Sequence, residues 1–324
     1  MRRPGFAQDI AGRWSALPAN LRGGLWMVLS ALGFALMAIF IKLLGTRLDS
    51  FQVAFFRCLI GWLVILPIAF SRPWSSLRSD KLHVHLVRGL LGAFGMFCGY
   101  YAIARMPLAD FMGLSFSRPL FTLLLAALIL GESVGWRRWL ATAAGFAGVL
   151  LMARPGSDGF NPAAGFALGE ACTIAFLSIL VKRLPAREQA IGILFWYGLF
   201  SSATALLPAA LFFWTWPDAE EWSWLLAVGA LGAFAHFCYI RAFRAGEASA
   251  VVPFDYLRLP LAGLVGWLVF AELPTLWTLA GAAVIVASTL YIMQREARLA
   301  RGRAAGAPVV GAPVVAATAA EPPP

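Results

Sequence analysis

The chain has 324 residues, of which 60% are hydrophobic and 13% charged, about half the charged share of a soluble domain. Its net charge of +10 does not indicate nucleic acid, because the cations are split among short loops and two tails, form no basic face and carry no interleaved stacking aromatics. Cys58, Cys98, Cys172 and Cys238 each lie inside an apolar run, as small packing residues do, and not as a disulfide framework or a CxxC metal site.

Residues 1–22 carry Arg2, Arg3, Arg13 and Arg22 but no compact apolar stretch with a small-residue cleavage site. The segment therefore reads as a cytoplasmic lead-in, and the first span directs insertion. Ten apolar runs follow, each of roughly the 17–25 residues that a helix needs to cross the hydrocarbon core. They lie near 23–44, 50–70, 86–104, 108–130, 137–153, 162–181, 190–213, 222–243, 248–270 and 275–293, numbered below as spans 1 to 10. Short breaks punctuate them, such as Arg72-Pro73, Met106-Pro107, Gly131-Glu132, Arg154-Pro155-Gly156, Leu184-Pro185 and Leu273-Pro274. Residues 294–324 form a second tail, whose Ala/Val/Pro-rich end from Ala304 to Pro324 is expected to be disordered.

With the N-terminus in the cytoplasm and the spans alternating, 19 of the 26 Lys and Arg residues fall on the cytoplasmic side. Only Lys42, Arg47, Arg105 and Arg154 fall outside, and Arg57, Arg118 and Arg258 remain within spans. The loop before span 8 holds only acids, Asp218, Glu220 and Glu221. Cations concentrate on the cytoplasmic side of multi-span proteins, so both termini are expected inside, in a cell inner (plasma) membrane.

The chain also repeats itself at a spacing of 140 residues. Gly89-Leu90-Leu91-Gly92-Ala93-Phe94 returns as Gly229-Ala230-Leu231-Gly232-Ala233-Phe234, and Phe97-Cys98 as Phe237-Cys238. Arg118 returns as Arg258, Glu132 as Glu272 and Lys42 as Lys182. Residues 89–102 show 8 identities in 14 pairs. A unit of five spans is odd, so residues 162–293 enter the membrane upside down relative to residues 23–153. Inverted halves are related by an axis in the membrane plane and supply two half-sites with two interchangeable openings, the requirement of alternating access. The predicted fold is all-α: a polytopic membrane protein with ten transmembrane helices in two inverted five-helix repeats.

Over residues 23–293 the chain resembles the drug/metabolite transporter superfamily, of the ten-span EamA type. The likeness rests on the two five-helix halves, on Gly131-Glu132 and Ala271-Glu272 ending spans 4 and 9, and on Phe56-Arg57 in span 2; Ala271 departs from the Gly-Glu pattern. The resemblance implies transport of a small organic metabolite. Characterised members export amino acids and other metabolites, or import compounds such as S-adenosylmethionine or riboflavin.

Candidate site residues follow from charge at membrane depth, which costs about 2.5–3.5 kcal/mol on insertion scales. Arg118 and Arg258 each lie ten residues into their spans, roughly 15 Å along a helix, at equivalent places in the two halves. Guanidinium forks there suit a carboxylate or phosphate; alternatively each arginine pairs with a buried acid, and Asp255 lies three residues before Arg258. Pro119 and Pro260 beside them remove backbone hydrogen bonds, as the broken helices of substrate sites do. Arg57 sits about 10 Å from the outer end of span 2, as a substrate contact or an outward-reaching anchor, opposite Tyr197 in the repeat register. Tyr197, Phe254 and Tyr256 are candidate cavity-lining aromatics. Glu170 and His236 are candidates for proton coupling, against a solvated acid and a hydrogen-bonded core histidine.

Other classes lack their signatures. HExxH and GxSxG are absent, and His83 and His85 make an HxH without a completing ligand, so no enzyme, metal site or cofactor is expected. A selectivity-filter motif is missing, and so is an ATP-binding GxxxxGK[ST] loop. The expectation is a secondary transporter for an anionic or zwitterionic, amino-acid-like metabolite, with export slightly favoured and uptake of a cofactor-type metabolite as the alternative. Its partners are the substrate and the bilayer, and small-residue faces leave a homodimer open.

Overall fold

The computed structural model describes residues 17–73, 77–131, 135–157, 159–182, 190–246 and 251–305. Their regular structure is all helical, with no strand among the described residues. Span 1 is Ala19–Leu44, span 2 Ser50–Phe70, span 3 Leu82–Arg105, span 5 Trp136–Ala153, span 6 Ala163–Lys182, span 7 Ala190–Phe212, span 8 Ala219–Ala245 and span 10 Leu276–Ala305. Span 4 is divided into Leu108–Ser115 and Arg118–Leu130, and span 9 into a 3₁₀ segment, Val252–Leu257, and a helix, Arg258–Phe270.

Among the described residues, seven helices are long and apolar enough to cross a membrane, those of spans 1 to 4 and 6 to 8. Spans 5 and 10 contribute shorter apolar stretches, and span 9 falls short because its first part is 3₁₀. Polar caps fix two starts: Asp49 accepts from Phe51 N ahead of span 2, and Asp218 and Glu221 form a reciprocal capping box ahead of span 8. Span 10 differs from expectation, since its helix runs on to Ala305 instead of ending near residue 293. Its Gln-Arg-Glu-Ala-Arg-Leu continuation consists of good helix formers. The start of the N-terminal segment, Glu132 and residues 306–324 lie outside the described residues.

Packing follows the repeat. Span 1 lies along span 8, and its counterpart span 6 lies along span 3; span 2 meets span 8, as span 7 meets span 3. Spans 2 and 7 pack on each other, and so do spans 5 and 10. Every one of these pairings maps onto another, or onto itself, when the two halves are exchanged. The architecture is therefore one of two intertwined five-helix repeats, with each half wrapping elements of the other. Small residues permit the closest approaches, such as Gly33 of span 1 against Ala235 of span 8.

Candidate functional site

The two breaks at membrane depth are equivalent and place the two arginines. Span 4 leaves the helical path at Phe116-Ser117, and Arg118 then opens the second segment with Pro119 behind it. In span 9, Arg258 opens the helix that follows the 3₁₀ segment, with Pro260 in its first turn. Proline is tolerated there because the first N–H groups of a helix lack intrahelical partners. A helix N-terminus already carries partial positive charge, so a cation at that position needs an acid nearby.

Each arginine has one. Arg118 Nη2 meets Glu170 Oε1 at 3.1 Å, and Glu170 Oε2 accepts from Ser115 Oγ at 3.3 Å, in the last turn before the break. Arg258 Nε lies 2.7 Å from Asp255 Oδ1, an ion pair in which neither atom has a hydrogen-bond partner. The Arg258 guanidinium also covers the Phe34 ring, 4.1 Å from its centroid. Arg118 keeps 32% of its side-chain surface open, against 9% for Arg258, so Arg118 is the more available of the two.

These groups face a central cavity of about 210 Å³. Phe34 and Met37 of span 1, Arg57 of span 2, Met96 and Tyr100 of span 3, and Phe111 of span 4 line one part of it. Glu170 of span 6, Tyr197 of span 7, His236 of span 8 and the two arginines close the rest. Gly92, Gly95 and Gly99 form the span 3 wall, where absent side chains let Tyr197, Thr173 and Glu170 approach the backbone.

Arg57 turns into this cavity. Its Nη1 points at Met96 Sδ, 3.7 Å away, and its Nη2 lies 3.5 Å from His236 Nδ1. The same Nδ1 is 2.9 Å from the Gly232 carbonyl. The tautomer that satisfies this shorter bond puts the proton on Nδ1 and leaves Arg57 no acceptor there.

Of the residues singled out in the sequence, Arg57, Arg118, Arg258, Glu170, Tyr197 and His236 come together around the cavity. Phe254, Asp255 and Tyr256 do not line it. In a 3₁₀ segment side chains eclipse at every third residue, so Asp255 stays in line with Arg258 while its neighbours turn elsewhere. Phe254 packs on Gly24, and Tyr256 stacks against Phe116 at 4.8 Å. Glu170 is buried at 6% exposure and is not a solvated vestibule acid. Phe34, Met37 and Met96 line the cavity without a local sign in the sequence. Glu272, at the end of span 9, pairs with Lys42.

A sequence profile of the EamA-like transporter family matches residues 21–154 and again 161–294. An S-adenosylmethionine uptake transporter of Rickettsia prowazekii is 35% identical over 281 residues, covering 87% of this chain and 95% of the relative. A riboflavin transporter of Vibrio cholerae is 34% identical over 288 residues, with 87% and 96% covered. A pseudopaline exporter of Pseudomonas aeruginosa is 30% identical over 283 residues, with 85% and 96% covered. A solved crystal structure superposes with a TM-score of 0.57 at 21% identity, covering 85% of this chain and 97% of that one, a likeness of fold.

Proposed function

This chain belongs to the EamA-like transporter family, and we propose that it takes up an amino-acid metabolite of the S-adenosylmethionine type, with a carboxylate beside ammonium and sulfonium groups, by alternating access of its two inverted halves. That it is a multi-pass membrane transporter of a small metabolite, and not an enzyme, follows from the family and from relatives of near-full length.

The observation that carries the finer reading is the charge pattern of the cavity. Arg57, Arg118 and Arg258 face it, with Glu170 beside Arg118 and Asp255 behind Arg258. Counted as ionised, three cations against two anions leave one positive charge, which suits the carboxylate of an amino acid. Glu170 offers an anion for an ammonium or sulfonium group, and Phe34, Tyr100, Phe111 and Tyr197 offer faces for a planar base. Ligand cavities for drug-sized molecules run to about 300–1,000 Å³, so a nucleoside-bearing substrate needs the halves to part slightly as it enters.

Uptake is favoured over export by the relatives named for S-adenosylmethionine uptake. The cation count supports an inner membrane location with both termini in the cytoplasm. That orientation places the paired Lys42 and Glu272 at the outer end. Glu170 and His236 are retained as the proton-coupling candidates, and dimerisation is left to the exposed small-residue and apolar faces.

The test is uptake of labelled S-adenosylmethionine by cells expressing the protein, against cells with empty vector. Uptake above the control, abolished by excess unlabelled compound and unaffected by riboflavin, is the expected result. Riboflavin uptake instead, or no accumulation despite folded protein in the membrane, would sink the substrate assignment.

A further inference from the structure

Positions 57 and 197 are equivalent in the 140-residue register, and the structure treats them alike in packing but not in chemistry. Tyr197 of span 7 lies against Gly92 of span 3, where a Cβ would collide with the phenol. Arg57 of span 2 passes over Gly232 of span 8, the register partner of Gly92, where a Cβ would meet Met37 Sδ at 3.2 Å and Arg57 Nε at 3.4 Å. A large side chain lies over a glycine at both places, and in one half it is a neutral tyrosine. The guanidinium in the other half is surplus to packing, and a charge at membrane depth requires a reason.

Among the described residues its surroundings hold no acid to balance that charge. Arg118 and Arg258 have Glu170 and Asp255, whereas Arg57 has no carboxylate partner among the described residues. The Met96 thioether and the Cys58 thiol beside Arg57 are weak acceptors, and the His236 nitrogen next to it is the one occupied by the Gly232 carbonyl. The fork of donors that matches a carboxylate is left open toward the cavity. We infer that Arg57 is the receptor for the substrate's carboxylate, a specificity device that one half carries where the other keeps a packing tyrosine. Glu170, held by Arg118, is then the anion for the cationic group of the substrate. The inference rests on the cavity being the substrate site, but not on the substrate being S-adenosylmethionine.

The experiment uses purified full-length protein in detergent and a panel of acid and amide pairs. The pairs are S-adenosylmethionine with its carboxamide, several amino acids with theirs, and short carboxylates with their amides. Wild type should prefer acids over amides by roughly 10- to 100-fold, as a charge-assisted hydrogen bond provides. Arg57→Tyr, which copies the chain's own second half, should bring that ratio to about 1 while the protein stays monodisperse. Arg57→Gln, which keeps length without charge, gives the same reading should the tyrosine variant not fold. An acid preference that survives either change overturns the inference, and so does a wild type that binds no carboxylate in the panel. Loss of preference for some other acid, with no binding of S-adenosylmethionine, would keep Arg57 and discard the proposed substrate. Binding of S-adenosylmethionine that ignores Arg57 would do the reverse.

Discussion

Lys42 and Glu272, 230 residues apart, form an ion pair that ties the two halves together at one end of the bundle. Lys42 Nζ also donates to the Met106 carbonyl at 2.9 Å, and Glu272 accepts from Leu108 N at 3.1 Å. The end of span 1, the turn between spans 3 and 4 and the end of span 9 are thereby held at one point. Leu108 N belongs to the first turn of span 4, where N–H groups lack intrahelical partners and favour a carboxylate. The cation count expects this point at the outer end of the bundle, and the pair is expected to close that end of the cavity.

Breaking this tie should open that end. Lys42→Met leaves Glu272 uncompensated and should lower stability by roughly 1–3 kcal/mol. In a background with the four cysteines replaced, a cysteine in place of cavity-lining Ile103 reports access. An impermeant maleimide added to whole cells should label it several times faster when Lys42→Met is present. The charge exchange Lys42→Glu with Glu272→Lys should slow labelling again. Equal labelling rates in all three proteins would show that the pair does not close the cavity.

Glu170 is the acid that should distinguish zwitterions from anions. Glu170→Gln removes a negative charge 3.1 Å from Arg118 and leaves that guanidinium available. Binding of a zwitterion should weaken by about tenfold, the worth of one charge-assisted contact. The deaminated analogue should bind as well as before or better. If Glu170 also carries the coupling proton, the variant should still exchange labelled for unlabelled substrate yet lose accumulation driven by a pH gradient. Parallel loss for zwitterion and anion would assign Glu170 a purely structural role.

Much of this site was legible in the sequence, for definite reasons. The 140-residue register located Arg118 and Arg258 at matched depth, and Pro119 and Pro260 marked the breaks that the structure shows beside them. The faces of apolar helices were not legible. Lipid is as apolar as the protein interior, so Phe34, Met37 and Met96 carry no sign of turning inward. Phe254 and Tyr256 were candidates because they flank Asp255 at membrane depth, and the 3₁₀ path of Val252–Leu257 turns them away from the cavity. Lys42 and Glu272 were visible as repeated residues, but nothing local joins two charges in different halves.

The span 3 glycines should be intolerant in proportion to what they face. A methyl group on Gly92 collides with Tyr197, whereas on Gly95 it meets Thr173 Cγ2 at 3.1 Å. Overpacking typically costs about 1–3 kcal/mol, so Gly92→Ala should lower the melting temperature and the transport rate clearly, and Gly95→Ala less. Combining Gly92→Ala with Tyr197→Leu, which shortens the side chain over the new methyl group, should recover part of the loss. A Gly92→Ala protein as stable as wild type would mean that span 7 shifts freely, and that spans 3 and 7 are not in fixed contact.

Ala271 should respond in the opposite direction. Spans 4 and 9 both end in a left-handed residue, Gly131 at φ 64° and Ala271 at φ 55°. Glycine adopts that conformation without a Cβ penalty, whereas an L-residue there costs roughly 1–2 kcal/mol. Ala271 therefore carries strain that its twin in the first half avoids, immediately before the Glu272 that holds Lys42. Ala271→Gly should raise stability by about 1 kcal/mol, less the extra freedom that glycine gives the unfolded chain. Thermal unfolding of the purified protein would show this as a small upward shift, with binding unchanged. A lower melting temperature would mean that the alanine methyl group makes contacts worth more than the strain.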